Sequence, residues 1–373
     1  MAARLRRAGA SDRPPPMINL HDYERAALRK LPPAVADYYA GGAANEHSLH
    51  ADPAAYAALR LLPRVLRDVG KRDLRTTLLD VALAAPIIIA PTAFQALAHP
   101  DGEIATAQAA ARAGTLMTLS TLSTQPMEAV GTAGAPWWFQ LYVYRDRAVT
   151  RALIARARAA GAQALVLTVD NQVFGPRERD QRNRFALPPG LQPVNLEADR
   201  DIGALPAGAS GSALAAYAAR TFDPALAWAD LEWLVAEAGL PVVVKGILRA
   251  DDARRAAACG AAAVWVSNHG GRQLDTALPP IEALPAIAAG LDGAVPLIVD
   301  GGIRRGTDVV KALALGADVV ALGRPLLWGL AHGGAAGAAH VLDLLRTEFD
   351  VAMALCGARR PAELDADLIA ARP

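Results

Sequence analysis

One histidine directly follows a very apolar segment of the chain, and its neighbours suit proton-transfer chemistry. The stretch VWVSNHGGRQLD, residues 264–275, begins as an apolar strand and continues into polar residues that include His269. Gly270 and Gly271 come next, and their lack of a side chain lets a ligand approach the backbone closely. Because histidine changes its charge near neutral pH, it suits a general base. The stretch therefore predicts a base at the end of a buried strand.

Other charged residues fit a substrate that carries a carboxylate. Asp170 ends the segment ALVLTVD, where it could hydrogen-bond an imidazole and stabilise its protonated form. Arg177 and Arg272 carry planar guanidinium groups that can bind one carboxylate in a bidentate manner. Lys245 ends another apolar segment and suits a place where negative charge develops. Together with His269, these residues favour a catalytic role over a structural histidine.

Eight short apolar segments must position these side chains. Their apolar residues are continuous rather than alternating, which is typical of strands buried on both faces of a parallel sheet. Alanine-rich helical stretches separate them, so the sequence predicts an α/β fold, a (β/α)8 TIM barrel. An open, doubly wound sheet is the alternative, although eight units favour closure. The segments are residues 86–91, 116–120, 137–142, 164–170, 241–246, 263–269, 296–302 and 319–324.

Each predicted strand ends in polar residues, and the C-terminal strand ends of such a barrel build its active site. A polar residue often caps a strand, so one alone would carry little weight, but eight strand ends together predict a shared site. The residues at these ends are Thr92, Ser120, Gln140, Tyr142, Thr168, Asp170, Lys245, Ser267, Asn268, His269, Asp300 and Arg324.

The last two strands predict a phosphate site. Gly301 and Gly302 follow the seventh strand, and Gly323 and Arg324 end the eighth. Backbone amides beside glycines, a helix N-terminus and arginines bind anions, and these two loops hold phosphate in many barrels. The carboxylate of Asp300 suits a ribose or ribityl hydroxyl. A G-x-G-x-x-G motif after a first strand, which would indicate a Rossmann site, is not found in the sequence.

The flanking segments predict one domain with a lid-like insertion. Residues 1–16 are basic and proline-rich, which predicts a disordered tail, with a transit peptide as the alternative. Residues 17–373 are predicted to form a single domain, in which one or two helices ending at Gly41-Gly42 pack against the barrel. The Pro/Gly-rich stretch at about 177–227 predicts an irregular insertion that acts as a lid or is mobile.

Composition excludes several classes of partner. The net charge of +1 gives no electrostatic reason to expect nucleic acid or an anionic membrane. Two cysteines, Cys259 and Cys356, argue against a disulfide framework or a metal site, and they favour a reducing, cytoplasmic location. The sequence contains no uncharged apolar run of about 18 residues, so no transmembrane helix is predicted.

The motif SNHGGRQLD resembles the active-site signature of the FMN-dependent L-2-hydroxy acid oxidases and dehydrogenases, the family of glycolate oxidase and lactate oxidase. The similarity continues through DYYAGGA, IAPTAFQALAHPDGE, FQLYVYRDR, TVDNQVFGPRERDQRNRF, VVVKGI, DGGIRRGTDVVKALALGA and LGRP. It covers nearly all of residues 17–370 in the order of the family.

The resemblance implies bound FMN and assigns residues to it. Lys245 would neutralise charge near N1 of the reduced flavin. The residues that would border the flavin ring are Pro91, Thr92, Ala93, Ser120, Gln140, Thr168, Lys245 and Ser267. Those that would hold the ribityl phosphate are Asp300, Gly301, Gly302, Arg304, Gly323 and Arg324.

The resemblance also implies the substrate site. His269 would be the base and Asp170 its partner, and the list of substrate contacts would be Tyr38, Tyr142, Arg177 and Arg272. Oxidation of a 2-hydroxy acid removes two electrons and two protons, and flavin accepts the electrons. His269 takes either the hydroxyl proton while a hydride moves to the flavin, or the carbon proton; the sequence leaves both routes open. In each route His269 becomes cationic, so Asp170 stabilises the transition state more than the ground state.

Two positions depart from the family pattern. Gln172 stands where many relatives have proline, which affects the path of the loop toward Arg177. Leu122 stands where glycolate oxidase has an aromatic residue, which affects the substrate pocket. With Phe94 and Phe174 expected to line the same pocket, these residues predict lactate or a larger 2-hydroxy acid as the substrate. Ala93, rather than glycine, favours an oxidase that uses O2. The alternative is a dehydrogenase that passes electrons to a quinone or another carrier.

Two rival interpretations remain at this level. Another FMN barrel, such as an isomerase or a nucleotide dehydrogenase, does not account for His269 together with Arg177 and Arg272. A flavin-binding protein that has lost catalysis would not need His269 and Asp170 intact. Because members of the family are commonly tetramers, the resemblance also implies a homotetramer.

Overall fold

The computed structural model describes residues 16–196 and 212–370, and this part of the chain contains a closed barrel of parallel strands. A hairpin of β1 (Thr76–Leu78) and β2 (Val81–Leu83) precedes it. The barrel strands, β3 to β10, are Ile87–Ile89, Met117–Leu119, Trp137–Leu141, Leu165–Thr168, Val242–Ile247, Ala263–Val266, Leu297–Val299 and Val319–Leu322. Pairing of β10 with β3 closes the sheet. The predicted (β/α)8 barrel is confirmed, and the open-sheet alternative is wrong.

The strands are apolar on both faces because each face meets a different core. Ile88, Trp138 and Val166 belong to a core inside the barrel, and side chains of β1 and β2 join the same core. Neighbouring residues such as Phe139 and Leu165 belong to the larger core between strands and helices. Successive side chains of a strand point to opposite faces. Continuous apolar segments are therefore what a barrel wrapped by helices requires.

Helices cover the outside of the barrel, and further helices precede its first strand. Two helices precede Gly41, α1 (Leu20–Lys30) and α2 (Pro33–Ala40). The first of them packs against the long α13 (Arg324–Leu355), which kinks at Gly333 and Gly334. The helices α1 to α13 are Leu20–Lys30, Pro33–Ala40, His47–Ala58, Gly102–Ala113, Met127–Gly131, Arg147–Ala159, Glu178–Arg182, Ala213–Thr221, Trp228–Ala238, Ala250–Ala258, Pro280–Leu291, Gly306–Ala314 and Arg324–Leu355.

The insertion predicted to be irregular contains helices where the structure describes it. It includes α7, a 3-10 turn at Val194–Leu196 and α8, while residues 197–211 lie outside the described residues. Its C-terminal part is tied to the barrel by a bridge between Phe222 and Tyr144. Of the predicted tail, residues 1–15 also lie outside the described part. Among the helices of the described residues, none is long and apolar enough to cross a membrane.

Candidate active site

The loops at the C-terminal strand ends surround a cavity of about 1110 Å³, counting the space open to solvent at its mouth. This is the end of a barrel where active sites form. Most of the predicted site residues line it: Tyr38, Pro91, Thr92, Ala93, Ser120, Leu122, Gln140, Tyr142, Thr168, Phe174, Arg177, Lys245, His269, Arg272, Asp300, Gly301, Gly302, Arg304, Gly323 and Arg324. The tertiary structure thus brings together side chains that are spread over most of the sequence.

The two-residue period of the strands explains how the polar groups reach this cavity. Five strands place an apolar residue in the barrel core, and the residue two positions later carries a polar side chain toward the C-terminal end. These pairs are Trp138 and Gln140, Val166 and Thr168, Val243 and Lys245, Trp265 and Ser267, and Ile298 and Asp300. The strands are shorter than predicted, so Tyr142, Asp170 and His269 lie in the loops beyond them.

His269 and Asp170 form the predicted pair. Nδ1 of His269 lies 3.0 Å from Oδ1 of Asp170, and Oδ2 of Asp170 is buried without a hydrogen-bond partner among the described residues. Since a carboxylate oxygen accepts at Nδ1, the neutral ring carries its proton there and presents an unprotonated Nε2. Burial lowers the pKa of His269, and the charge of Asp170 opposes this only in part. A neutral imidazole that faces the cavity is the form able to accept a proton.

The backbone at His269 is held in the left-handed region. Its φ is 61°, and Gly270 and Gly271 follow with φ of 64° and 71°. For a residue with a side chain this conformation costs about 1–2 kcal/mol. Oγ of Ser267 accepts a hydrogen bond from the His269 N–H at 3.1 Å, and Oδ1 of Asn268 accepts one from the Gly271 N–H at 3.1 Å. Side chains on the same loop therefore stabilise the strained turn.

Two arginines lie against aromatic rings at the mouth of the cavity. Arg177 stands 3.9 Å above the ring of Phe174, and Arg272 stands 5.1 Å from the ring centroid of Tyr38. Tyr38 is in turn stacked on Phe185 at 4.3 Å. Burial and the neighbouring Arg272 charge lower the pKa of Arg177 to about 9. Because the Arg272 charge acts on Arg177, an anion bound between the two cations would be stabilised, and a carboxylate matches the guanidinium geometry.

A chain of polar contacts crosses the floor of the cavity. Lys245 donates from Nζ to Oγ of Ser267 at 2.8 Å and lies 3.3 Å from Oδ2 of Asp300. Ser267 donates to Oδ1 of Asp300 at 2.6 Å. Ser267 does not line the cavity itself. It lies below the cavity and orients Lys245 and Asp300. This arrangement leaves a buried cation beside the cavity.

Amide and hydroxyl groups continue this floor on the neighbouring strands. Nε2 of Gln140 donates to Oγ1 of Thr168 at 3.1 Å, and Oε1 accepts from Oγ of Ser120 at 3.3 Å. Thr168 pairs with Lys245 across adjacent strands, so both lie at the same level of the barrel. The floor therefore offers hydrogen-bonding groups suited to the polar edge of a heterocycle.

The loops after β9 and β10 form the other end of the cavity. Gly301 and Gly302 have φ of 88° and 81°, and a Cβ on Gly302 would lie 2.5 Å from the carbonyl oxygen of Asp52. Gly323 immediately precedes α13, so the N-terminus of that helix lies beside Arg304 in the cavity wall. Glycine-rich turns, an arginine and a helix N-terminus make up an anion site.

Arg324 has a structural task that the sequence did not indicate. Its Nε donates to the carbonyl of Tyr39, and Nη1 and Nη2 donate to those of Gly270 and Gly41. Burial lowers its pKa to about 9. The side chain therefore ties α2 and the His269 loop to β10, in addition to lining the cavity.

These two ends together fit FMN. The glycines and Arg304 suit the phosphate, the carboxylate of Asp300 suits ribityl hydroxyls, and the floor around Gln140 and Lys245 suits the flavin ring. No group of three or more His, Cys, Asp or Glu side chains among residues 16–196 and 212–370 could hold a metal ion.

Three predicted site residues do not line the cavity: Asp170 and Ser267 contact residues that do, whereas Phe94 packs behind its wall. Phe94 is fully buried, with a left-handed backbone of φ 57°, and its carbonyl accepts a hydrogen bond from Tyr39 at 2.6 Å. Its ring packs 6.0 Å from that of Tyr38. The prediction that Phe94 lines the pocket is therefore wrong: it supports the tyrosines from behind.

The sequence did not indicate some residues that do line the cavity. Leu214 and Phe222 come from the insertion, and Asn171 follows Asp170. The ring of Phe222 stacks on Tyr142 with centroids 4.5 Å apart. Phe222 belongs to a segment predicted to be irregular, so no periodic pattern pointed to it. The neighbouring Tyr217 and Tyr144, both aromatic and both buried, are the only local sign of a packed cluster there within the described residues.

Known proteins resemble this chain over nearly its full length. L-lactate oxidase of Nostoc sp. is 51% identical, covering 94% of this chain and 98% of that protein. 2-Hydroxyacid oxidase 1 of Homo sapiens is 44% identical, covering 96% and 98%. A crystal structure of mandelate oxidase with (S)-4-hydroxymandelic acid superposes with a TM-score of 0.90 at 42% identity, covering 95% of this chain and 98% of the other.

A family match agrees with these similarities. Residues 27–371 match the family described as FMN-dependent dehydrogenase. The match confirms both the resemblance seen in the motifs and FMN as the cofactor. The chain belongs to the family of FMN-dependent dehydrogenases.

Proposed function

We propose that this protein oxidises an L-2-hydroxy acid to the 2-oxo acid with FMN, and that O2 reoxidises the flavin and gives H2O2. The pairing of a neutral His269 with Asp170, in one cavity with Arg177 and Arg272, carries this proposal. A base and a carboxylate-binding pair are what this oxidation requires beyond the cofactor. The relatives named as oxidases of lactate, hydroxy acids and mandelate support the same reaction.

Substrate binding is the task of the cations at the mouth. Arg177 and Arg272 bind the carboxylate. Hydrogen bonds hold both guanidinium groups in place, from Arg177 to the Arg272 carbonyl and from Nη1 of Arg272 to the Tyr38 carbonyl. The hydroxyl of Tyr142 lies in the same wall and donates to a substrate oxygen. Burial raises the pKa of Tyr142, so it stays protonated and able to donate. These contacts orient the substrate carbon toward His269.

Proton removal is the task of His269. Its unprotonated Nε2 accepts the proton, and the imidazolium that forms is stabilised by Asp170 at 3.0 Å from Nδ1. Because the charge appears only as the reaction proceeds, this attraction is greater in the transition state than in the ground state. Burial strengthens the attraction by excluding water. When bound, FMN supplies the two-electron acceptor.

Reoxidation of the reduced flavin in air distinguishes an oxidase from a dehydrogenase. We expect anaerobic L-lactate or L-mandelate to bleach the flavin absorbance and, in air, to yield one equivalent of peroxide per 2-oxo acid. Bleaching without peroxide, with turnover on an added quinone, would indicate the dehydrogenase alternative. No bleaching by any 2-hydroxy acid would contradict the oxidation itself and leave the non-catalytic flavin protein.

The substrate side chain meets apolar groups. Leu122, Phe174, Leu214 and Phe222 line the cavity, which gives an acid larger than glycolate apolar surface to contact. We infer that lactate or a larger 2-hydroxy acid is preferred over glycolate. Each extra methylene in such a pocket is worth roughly 1–3 kcal/mol. A series of glycolate, lactate, 2-hydroxyoctanoate and mandelate tests this, and a markedly higher kcat/KM for glycolate would contradict it.

Leu122 offers a direct test of the pocket size. We expect Leu122→Trp to lower kcat/KM for mandelate by about tenfold or more while changing that for glycolate much less, because the larger ring fills space that a big side chain needs. A Leu122→Met control keeps the volume and should leave the ranking unchanged. Equal losses for both acids would show that Leu122 does not set the size limit.

We further infer a cytoplasmic homotetramer formed from a single domain of residues 17–373. Both cysteines are free, which suits a reducing compartment. Exposed apolar side chains near the C-terminal end of α13 and the adjoining loop suit association: Leu62, Val65, Leu66, Val351 and Leu355. Light scattering of the purified protein tests the assembly, and a monomeric mass would contradict it.

A further inference from the structure

A buried carboxyl group outside the predicted site lies under the catalytic turn. Asp52 belongs to α3 and is 2% exposed. Its Oδ1 accepts a hydrogen bond of 2.7 Å from Nδ2 of Asn268, the residue directly before His269. Burial raises the pKa of Asp52 to about 7, and the Asn268 hydrogen bond opposes that shift. Burying a carboxyl group costs free energy unless the group is hydrogen-bonded or paired with a charge.

Asn268 passes this contact on to the backbone. While Nδ2 donates to Asp52, Oδ1 accepts from the Gly271 N–H at 3.1 Å. An amide that bonds at both ends can hold one orientation only, because its donor and acceptor cannot be exchanged. The orientation of Asn268 is thus set by Asp52, and the acceptor for Gly271 follows from it.

The same segment of the N-terminal region supports the loop at further points. Ala43 donates to the carbonyl of Gly271 at 2.8 Å, and the carboxylate of Asp275 accepts from the N–H groups of Asn45 and Ser48. The Gly271 N–H also donates to the backbone carbonyl of Asn268 at 3.2 Å. It is therefore shared between two acceptors of Asn268, and of these only the side-chain oxygen depends on the contact with Asp52.

We propose that Asp52 is a positioning residue for the oxidation: through Asn268 it holds the Gly271 N–H and so keeps the left-handed turn that aims His269 at the substrate. This role presupposes the oxidation proposed above. In this role Asp52 does not contact the substrate. Asp52 acts through Asn268, which lies 216 residues away in the sequence. Loss of the link relaxes a strained turn, so the chemical step suffers more than substrate binding.

A polarity swap tests the link. In Asn268→Asp, two carboxyl groups face each other and neither donates unless it takes up a proton, so we expect kcat to fall about tenfold or more with KM and flavin content little changed. Asp52→Asn alone keeps an acceptor for Asn268 and should stay within about threefold of the unsubstituted protein. The double variant Asp52→Asn/Asn268→Asp restores a donor and an acceptor in reversed order, so kcat should recover.

A readout without turnover keeps this test separate from the oxidation. Hydrogen exchange of the peptide that contains Gly271 should accelerate in Asn268→Asp and slow again in the double variant. As a control, Asp318→Ala removes a carboxylate that accepts from the Leu297 N–H at 2.7 Å, at the opposite end of the barrel. It should leave kcat and this exchange unchanged.

Three outcomes would overturn the positioning role. The first is that Asn268→Asp has the same kcat and the same hydrogen-exchange rate as the unsubstituted protein. The second is that the double variant has a kcat no higher than that of Asn268→Asp. The third is a loss confined to KM or flavin content, which would place Asp52 in ligand binding instead. If the unsubstituted protein oxidises no 2-hydroxy acid, the proposed function fails, and hydrogen exchange alone still decides whether Asp52 holds the turn.

Discussion

The two ends of the cavity use the same backbone conformation for different purposes. After β8, a residue with a side chain, His269, has φ of 61°. After β9, two glycines, Gly301 and Gly302, have φ of 88° and 81°. Left-handed backbone is strained for the histidine and almost free for the glycines. Backbone strain is therefore present at His269, whose side chain is needed for the proposed reaction. It is absent at Gly301 and Gly302, where backbone groups are enough to bind an anion.

The charged groups of the two ends also differ. At the His269 end, burial lowers the pKa of an ionisable base, His269. At the glycine end the charged groups are arginines, and Arg324 donates to three backbone carbonyls. Carbonyls hold an arginine at the His269 end too, because Arg272 donates to those of Tyr38 and Gly41. The feature that distinguishes the two ends is therefore the proton acceptor, His269.

The largest expected effect removes the base. We expect His269→Gln to retain the yellow flavin while kcat falls by about 10²–10⁴-fold, because a positioned general base contributes that much. Steady-state turnover with L-lactate and the flavin absorbance spectrum measure the two properties separately. Turnover close to that of the unsubstituted protein would end the assignment of His269 as the base.

A smaller effect is expected at the glycine end. In Gly302→Ala, the new Cβ would lie 2.5 Å from the Asp52 carbonyl oxygen at φ of 81°, so the turn must move. We expect FMN affinity to fall about tenfold or more, because the glycine loop proposed to hold the phosphate must shift. Fluorescence titration of the apoprotein with FMN measures this.

A matched glycine separates crowding from strain. Gly293 has φ of 74°, and a Cβ there would meet nothing within 4 Å. Gly293→Ala should cost roughly 1 kcal/mol in the free energy of unfolding without changing FMN affinity. Equal FMN affinities for both variants would contradict the role of the Gly302 turn in holding FMN.

The smallest expected effect is a pH shift at the His269 end. In the proposed reaction the neutral imidazole is the active form. Burial holds its pKa below the ordinary 6.5, so kcat/KM should fall only as the pH drops below 6.5. The Asp170 carboxylate raises this pKa, so Asp170→Asn should move the acid limb to lower pH as well as slow turnover. A limb that moves to higher pH in that variant would contradict the neutral His269–Asp170 pair.

Local patterns predicted the fold and most of the site because they are repeated or sequence-adjacent. Each barrel strand carries its own apolar signal, and a polar residue two positions after a core residue, as with Val243 and Lys245, is visible in the sequence. The hairpin β1–β2 was missed since strands of three residues are too short to show a period. The helices of the insertion were missed because proline and glycine around them dominate the pattern.

The sequence by itself determined the barrel, the FMN family and the residue types of the chemistry, including His269, Asp170 and the two arginines. Only the tertiary structure decided that Phe94 supports the pocket from behind, that Phe222 faces Tyr142, and that Asp52 meets Asn268. Secondary-structure period and motif spacing act over a few residues, whereas these contacts join residues 55 to 216 positions apart. The packing of the closed barrel against its N-terminal helices determines these contacts, and no local sequence pattern predicts that packing.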